Sequence, residues 1–157
     1  MDQLRKGVFL TAKIHTLSER ILAKILKKHG LRGINPAQGR IFFVLWREDG
    51  ISMKTLAGRT SLQKSTLTSM LDRLEKNDYV SRSPSGRDRR KVIVSLTKKS
   101  RALQGAYMRI AKEKTGIFYG GFAEGEMEEF ENYLTRILAN LESADKAGSR
   151  GEREAAG

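Results

Sequence analysis

From Asn35 to Gly50 the chain reads NPAQGRIFFVLWREDG. Asn35 is a strong N-cap, Pro36 suits the first helical position, and Gln38 stands three residues after the cap, where a capping box needs it. Six apolar residues, Ile41 to Trp46, then run without a polar interruption, and Gly50 closes the segment. A helix that is apolar on almost every side must be wrapped by other elements, so this segment predicts the centre of a core. The rest of the chain has to supply its partners.

Those partners can be read on both flanks. Leu10, Ile14, Leu17, Ile21 and Ile25 recur at helical spacing, widened by Leu22 and Leu26, until Gly30 and Gly33 stop the pattern. After Ile51-Ser52 a short helix is predicted from Met53 to Arg59, capped by Ser52. Past Thr60-Ser61-Leu62, a longer helix from about Gln63 to Asn77 buries Leu67, Met70, Leu71 and Leu74. Tyr79 to Ser83 reads as extended chain, Pro84-Ser85-Gly86 as a turn, and Lys91 to Leu96 as a strand. Together they predict a hairpin anchored by Val92, Val94 and Leu96. Thr97 caps a long helix through Leu103, Tyr107 and Ile110, broken at Gly120-Gly121. The last helix carries Met127, Phe130, Leu134, Ile137 and Leu141 at steps of three and four, a seam that asks for a partner helix. Residues 143–157 lack periodicity and are expected to be a disordered tail. The fold class expected is mainly α with one small β-hairpin (α+β).

Charge is distributed unevenly along this order. The net charge of +12 breaks down as +6 over residues 1–50, +8 over 51–100 and −2 over 101–157. The middle third is thus suited to a polyanion, because neutralising phosphates releases counterions. The last third can approach a copy of itself without strong repulsion. There is no cysteine, which excludes disulfides, cysteine zinc sites and thiol switches. No apolar run reaches the roughly 18–20 residues of a membrane span, and Val8-Phe9-Leu10 is too short for a signal-peptide core. The expected compartment is the cytoplasm, with no membrane partner.

Catalytic and metal chemistry find no pattern to rest on. His15 and His29 stand fourteen residues apart without a carboxylate cluster, and the glycines of 120–125 have the wrong offsets for a dinucleotide loop. The glutamates at 124, 126, 128, 129 and 131 open a helix, where its dipole favours them. Neither an enzyme, a metal site nor a cofactor is expected.

Short helix, turn, longer helix and basic hairpin, in that order, describe a winged helix-turn-helix. A helix enters the major groove of B-DNA only if its exposed side carries short donors and acceptors. Ser65, Thr66, Thr68 and Ser69 supply four in five positions, a usage that helix propensity alone disfavours. Lys64 near the helix start can take a phosphate or a guanine edge, and Gln63 and Arg73 extend the same recognition surface. Arg87, Asp88, Arg89, Arg90 and Lys91 fall at the hairpin tip, where arginine suits a narrow minor groove. Asp88 is expected to orient a neighbouring arginine, or Arg73. Two other classes fit the composition: a nonspecific architectural nucleic-acid binder, and a protein-interaction adaptor working through the last helix.

The stretch LDRLEKNDYVSRSPSGRDRRKVIVSLT (71–97) resembles the MarR family of bacterial and archaeal transcription regulators. The family's wing signature, D-x-R-x-x-x-V-x-L-T, is met by Asp88, Arg90, Val94, Leu96 and Thr97. LAGRTSLQKSTLTSMLDRLEK (56–76) is similar to its helix-turn-helix, and INPAQGRIFFVL (34–45) to the helix before it. The resemblance spans about 8 to 142. It implies a homodimer with a winged helix-turn-helix domain over 35–96 and a helical dimerisation region from 1–34 and 97–142. It also implies double-stranded DNA with a pseudo-palindromic operator as partner, Arg90 as the minor-groove arginine, and repression relieved by a small, often aromatic, effector. His15, Phe42, Trp46 and Tyr107 would border the effector crevice. Gln63 replaces a common Ser cap, so Ser61 is expected to cap the recognition helix, and Ser100 replaces a common Gly.

Overall fold

The computed structural model describes residues 5–31 and 33–155, which fall into two compact units, one ending at Thr115 and one beginning at Gly116. In chain order the first holds α1 (Gly7–Lys28), α2 (Pro36–Arg47), β1 (Ile51–Ser52), α3 (Met53–Thr60), α4 (Lys64–Lys76), β2 (Val80–Pro84), β3 (Val92–Leu96) and most of α5 (Lys98–Phe118). The α2 start is the predicted capping box: Gln38 N donates to Asn35 Oδ1 and Asn35 N to Gln38 Oε1, both at 2.9 Å. Ile41, Phe42 and Leu45 of α2 are fully buried, as a central helix requires. Phe43 is the exception, exposed beneath the guanidinium of Arg47 at 4.1 Å.

The helix-turn-helix and sheet close around α2. Leu56 of α3, Leu67, Leu71 and Leu74 of α4, and Val94 of β3 have no exposed surface and share one core with Ile41, Phe42 and Leu45. The expected two-stranded hairpin is a three-stranded antiparallel sheet of order β1-β3-β2. Ile51 pairs with Val94, and Ser52 with Ile93. Two residues are too short a run to announce a strand; the partner β3 makes them one. The central place of β3 leaves β2 at an edge, where Pro84 removes no ladder hydrogen bond that the sheet needs. Val94 and Leu96 anchor the hairpin as expected, while Val92, at its outer end, is exposed.

Turns and caps fix the order of these pieces. Ser52 Oγ accepts from Thr55 N at 3.1 Å, as predicted for the α3 start. Ser61 adopts the left-handed conformation that ends α3 and does not cap α4; Gln63 occupies that cap without a side-chain hydrogen bond. Asp78, also left-handed, closes α4: Tyr79 N reaches Leu74 O at 2.8 Å and Asp78 N reaches Glu75 O at 2.9 Å. Thr97 Oγ1 caps α5 through Ser100 N at 3.3 Å. Ser100, at the position where the family often has glycine, is buried and donates its hydroxyl to Tyr79 O.

A second core joins α1 to α5 through Leu22, Ile25, Leu26, Tyr107 and Ile110. Trp46 and Leu103 pack against both cores. The predicted stripe of α1 is buried only in its C-terminal part; Val8, Phe9, Leu10, Ile14 and Leu17 are exposed.

In the second unit, Phe118, Tyr119, Phe122 and Phe130 form a ring cluster with centroids 5.0–6.3 Å apart. Tyr119 donates to Glu131 Oε1 at 2.8 Å, and Ala123 N to Glu126 Oε2 at 2.9 Å, which starts α6 (Glu124–Ala155). The expected tail from residue 143 is corrected here: α6 continues to Ala155. Its serines bond back to the preceding turn, Ser143 to Ala139 O and Ser149 to Asp145 O, rather than breaking the helix. Residues 156 and 157 of that tail lie outside the described residues. Leu134, Ile137 and Leu141 of the predicted seam are exposed, together with Leu138.

Candidate nucleic-acid interface

The burial of Leu67, Leu71 and Leu74 fixes the roll of α4, and the opposite side follows from helical geometry. Gln63, Lys64, Ser65, Thr66, Ser69 and Arg73 are exposed, and Thr68 is half-buried. Thr68 Oγ1 donates to Lys64 O at 2.8 Å, so its hydroxyl proton is spent on the helix and only acceptor capacity is left. No side chain caps α4, which leaves its first-turn amides to solvent or to an anion.

The wing loop is built by its own side chains. Ser85 N donates to Lys91 O at 2.8 Å, and Lys91 N to Asp88 O at 2.9 Å. Asp88 Oδ1 accepts the backbone N of Arg90 at 3.0 Å, and Ser85 Oγ accepts that of Arg87 at 3.3 Å. The expected role of Asp88 is therefore altered: it orients Arg90 through the main chain, in an Asx turn, not through a guanidinium. Nor does it meet Arg73. Arg87, Arg89, Arg90 and Lys91 are exposed and form no ion pair among the described residues. Their charges are undiminished.

Two of the predicted groups meet. A cleft of about 640 Å³ is lined by Ser52, Met53, Lys54 and Thr55 of the α3 start, Lys64 and Leu67 of α4, and Arg90, Lys91 and Val92 of the wing. Cations from three elements thus surround one apolar floor. Lys54 was not singled out in the sequence; its place beside the Ser52 cap was the available signal. Arg73 faces a different hollow of about 500 Å³, with Gly33, Asn35, Gln38, Lys76 and Asn77.

The base of the wing holds a second feature that the charge count concealed. Arg82 Nη2 contacts Asp72 Oδ1 and Glu75 Oε2, each at 2.6 Å, and its Nε reaches Glu75 Oε2 at 3.1 Å. Its backbone N also donates to Glu75 Oε1 at 3.1 Å. The hydrogen bond from Arg82 holds the Glu75 carboxyl below its ordinary range, and Glu75, then Asp72, raise the guanidinium. Arg82 is spent on α4.

The residues expected to border an effector crevice lie apart from both hollows. Phe42 is fully buried, stacks on Trp46 at 5.2 Å and lies 6.3 Å from Tyr107, whose ring is 4.5 Å from Trp46. Tyr107 abuts Gly39 so closely that a methyl there would strike its hydroxyl. Burial pushes the Tyr107 phenol up to about 12. Phe42 and Tyr107 are ring-packed core, and Trp46 lies half-buried against them. His15 is exposed on α1, 3.6 Å from Glu19. Trp46 Nε1 is buried without a hydrogen-bond partner.

Among the described residues no group of His, Asp and Glu could hold a metal, and no helix is long and apolar enough to cross a membrane.

Residues 34–92, from the α2 entry through the wing, match the profile of the MarR family. The HTH-type transcriptional regulator TtmR of Methylorubrum extorquens is 42% identical over 65 residues, 41% of this chain and 33% of TtmR, so the match spans a third of that relative. The transcriptional activatory protein BadR of Rhodopseudomonas palustris is 29% identical over 85% of this chain and 81% of its own. A MarR mutant from E. coli, solved in complex with operator DNA, superposes with a TM-score of 0.75 at 25% identity, covering 85% of this chain and 93% of that one. Wing signature, helix-turn-helix, three-stranded sheet and relatives agree: over residues 34–92 the chain carries a winged helix-turn-helix that matches the MarR family, and it is similar to transcriptional regulators of that family.

Proposed function

We propose that this regulator binds a pseudo-palindromic operator in double-stranded DNA as a homodimer and represses transcription until a small effector releases it. The observation that carries the DNA reading is the cleft in which Lys64 of α4 meets Arg90 and Lys91 of the wing, beside a helix side of Ser and Thr. In that reading Ser65, Thr66 and Ser69 approach base edges in the major groove, and Thr68 accepts only. Lys54, Lys64 and Lys91 take phosphates, and Arg90 enters the flanking minor groove.

The homodimer is supported by apolar surface that neither unit buries within itself: Val8, Phe9 and Leu10 on α1, and Leu134, Ile137, Leu138 and Leu141 on α6. Rows of exposed apolar side chains of this kind mark an interface, and the −2 charge of residues 101–157 lets a second copy approach. Two recognition helices in a dimer would sit in successive major grooves about 34 Å apart. The effector is supported by the orphaned Trp46 Nε1 at the junction of the two cores, a buried donor that a ligand acceptor would satisfy.

The deciding experiment is a footprint on the DNA upstream of the protein's own coding region. Protection of an inverted repeat, with affinity falling steeply as salt rises, is the expected result. Equal affinity for the repeat and for random duplex would replace specific regulation by architectural binding. In light scattering, a mass of one chain would remove the homodimer.

A further inference from the structure

We propose that Arg82 is a positioning residue for DNA binding: it latches the wing to the recognition helix through Glu75 and Asp72, and does not itself contact phosphate. The inference rests on the DNA-binding reading above and names a part of that surface which works by geometry.

Arg82 lies mid-strand on β2, paired with Val94 of β3, so whatever holds it holds the base of the hairpin. Asp72 and Glu75 stand three residues apart on α4 and therefore share one face of the helix. The guanidinium fork spans both acids, and the Glu75 carboxylate also receives the Arg82 amide. Three side-chain contacts and one main-chain contact thus fix a strand to a helix at one point. The Arg82 side chain keeps 21% of its surface, against 58% for Asp72 and 40% for Glu75. It is the enclosed partner, held between acids on the outside.

Two consequences follow. The angle between α4 and the wing, on which simultaneous entry into major and minor grooves depends, is set by a charge-assisted fork that lysine cannot reproduce. The two acids on the recognition helix, which left alone would repel phosphate, are paired with one cation that offsets one of their two charges and cannot also serve the DNA. Among the wing-side arginines, Arg82 is spoken for, while Arg87, Arg89 and Arg90 carry no ion pair among the described residues.

A double-mutant cycle in the full-length protein decides the matter. Affinity for an operator duplex is measured by anisotropy for Arg82→Ala, Glu75→Ala, the pair and Arg82→Lys, with hydrogen exchange of the Arg82 amide followed without DNA. The latch predicts a roughly tenfold loss for Arg82→Ala, the size of one oriented contact. Glu75→Ala should also weaken binding although it removes a negative charge, the pair should be no worse than the poorer single variant, and Arg82→Lys should not restore affinity. Without DNA, the Arg82 amide should exchange faster in Glu75→Ala. A phosphate contact predicts the opposite: tighter binding by Glu75→Ala, additive effects, and rescue by lysine. Any of these, or unchanged amide exchange, overturns the latch. If the wild type shows no preference for the operator, the DNA reading fails separately, and the exchange experiment still judges the latch.

Discussion

The winged lobe and the α6 unit contain similar apolar side chains and use them in opposite ways. In the lobe, Leu67, Leu71 and Leu74 lie against Ile41, Phe42, Leu45 and Val94 and lose all contact with water. Along α6, Leu134, Ile137 and Leu141 repeat with the same helical spacing, yet remain exposed within their own unit. Periodicity therefore shows that a face wants covering, and not what covers it. The lobe has two other helices and a sheet converging on α2, whereas among the described residues α6 has the short ring cluster around Phe130. A self-contained core belongs with a rigid reading head, and an uncovered seam with association.

Substitution inside each region should separate the two uses, and the largest effect is expected in the lobe. Leu71→Ala removes a fully buried side chain and should cost about 3 kcal/mol of unfolding free energy in urea denaturation. Ile137→Ser combined with Leu141→Ser should instead lower the mass in light scattering, with the lobe's own fold kept. Reversed results would mean that α6 is core and α4 is not.

A comparable effect is expected at high pH. The Tyr107 phenol titrates near 12 in the fold and near 10 in an unfolded chain. Between these values the native state holds a proton that the unfolded state has lost. Stability from this group is thus complete below about pH 10 and falls as pH rises toward 12, by about 2–3 kcal/mol in all. Tyr107→Phe should flatten that slope in alkaline denaturation. Tyr119 and Tyr133 of the second unit are raised instead by their acceptors, Glu131 and Glu129, so these exposed phenols act on the slope in the same direction as Tyr107.

Smaller changes are expected where the lobe meets DNA. Arg90→Ala should weaken operator binding by about 2 kcal/mol, roughly thirtyfold, and lower the salt slope by about one, with the melting temperature kept. Lys146→Ala on α6 should leave affinity as it was. The smallest is Asp88→Ala, which frees the Arg90 amide from its turn and should cost about 1 kcal/mol of specific affinity despite raising the net charge. Tighter specific binding by this variant would show that the acid does not shape the wing.

Much of the lobe was legible because its signals are local. The Asn35–Gln38 box, the Ser52 and Thr97 caps, the polar side of α4 and the D-x-R wing motif act within a few residues of themselves. The illegible parts are those made by distant partners. Ile51-Ser52 is a strand because Val94 and Ile93 lie beside it, and Arg82 is a latch because Glu75 and Asp72 turn the same face toward it. Asp88 holds a main-chain amide where charge arithmetic suggested an arginine. Tyr107 carries a polar tip, but the rings of Phe42 and Trp46 packed on it make it core.

The sequence by itself determined the helices of the winged lobe, where the helix-turn-helix begins, and that the middle third of the chain is strongly basic, since propensity, capping and charge need no knowledge of the fold. Only the tertiary structure decided which charges remain available. Arg82 and Arg90 are the same residue type eight positions apart, and enclosure between two acids assigns one to the scaffold while an exposed turn leaves the other free to reach outward.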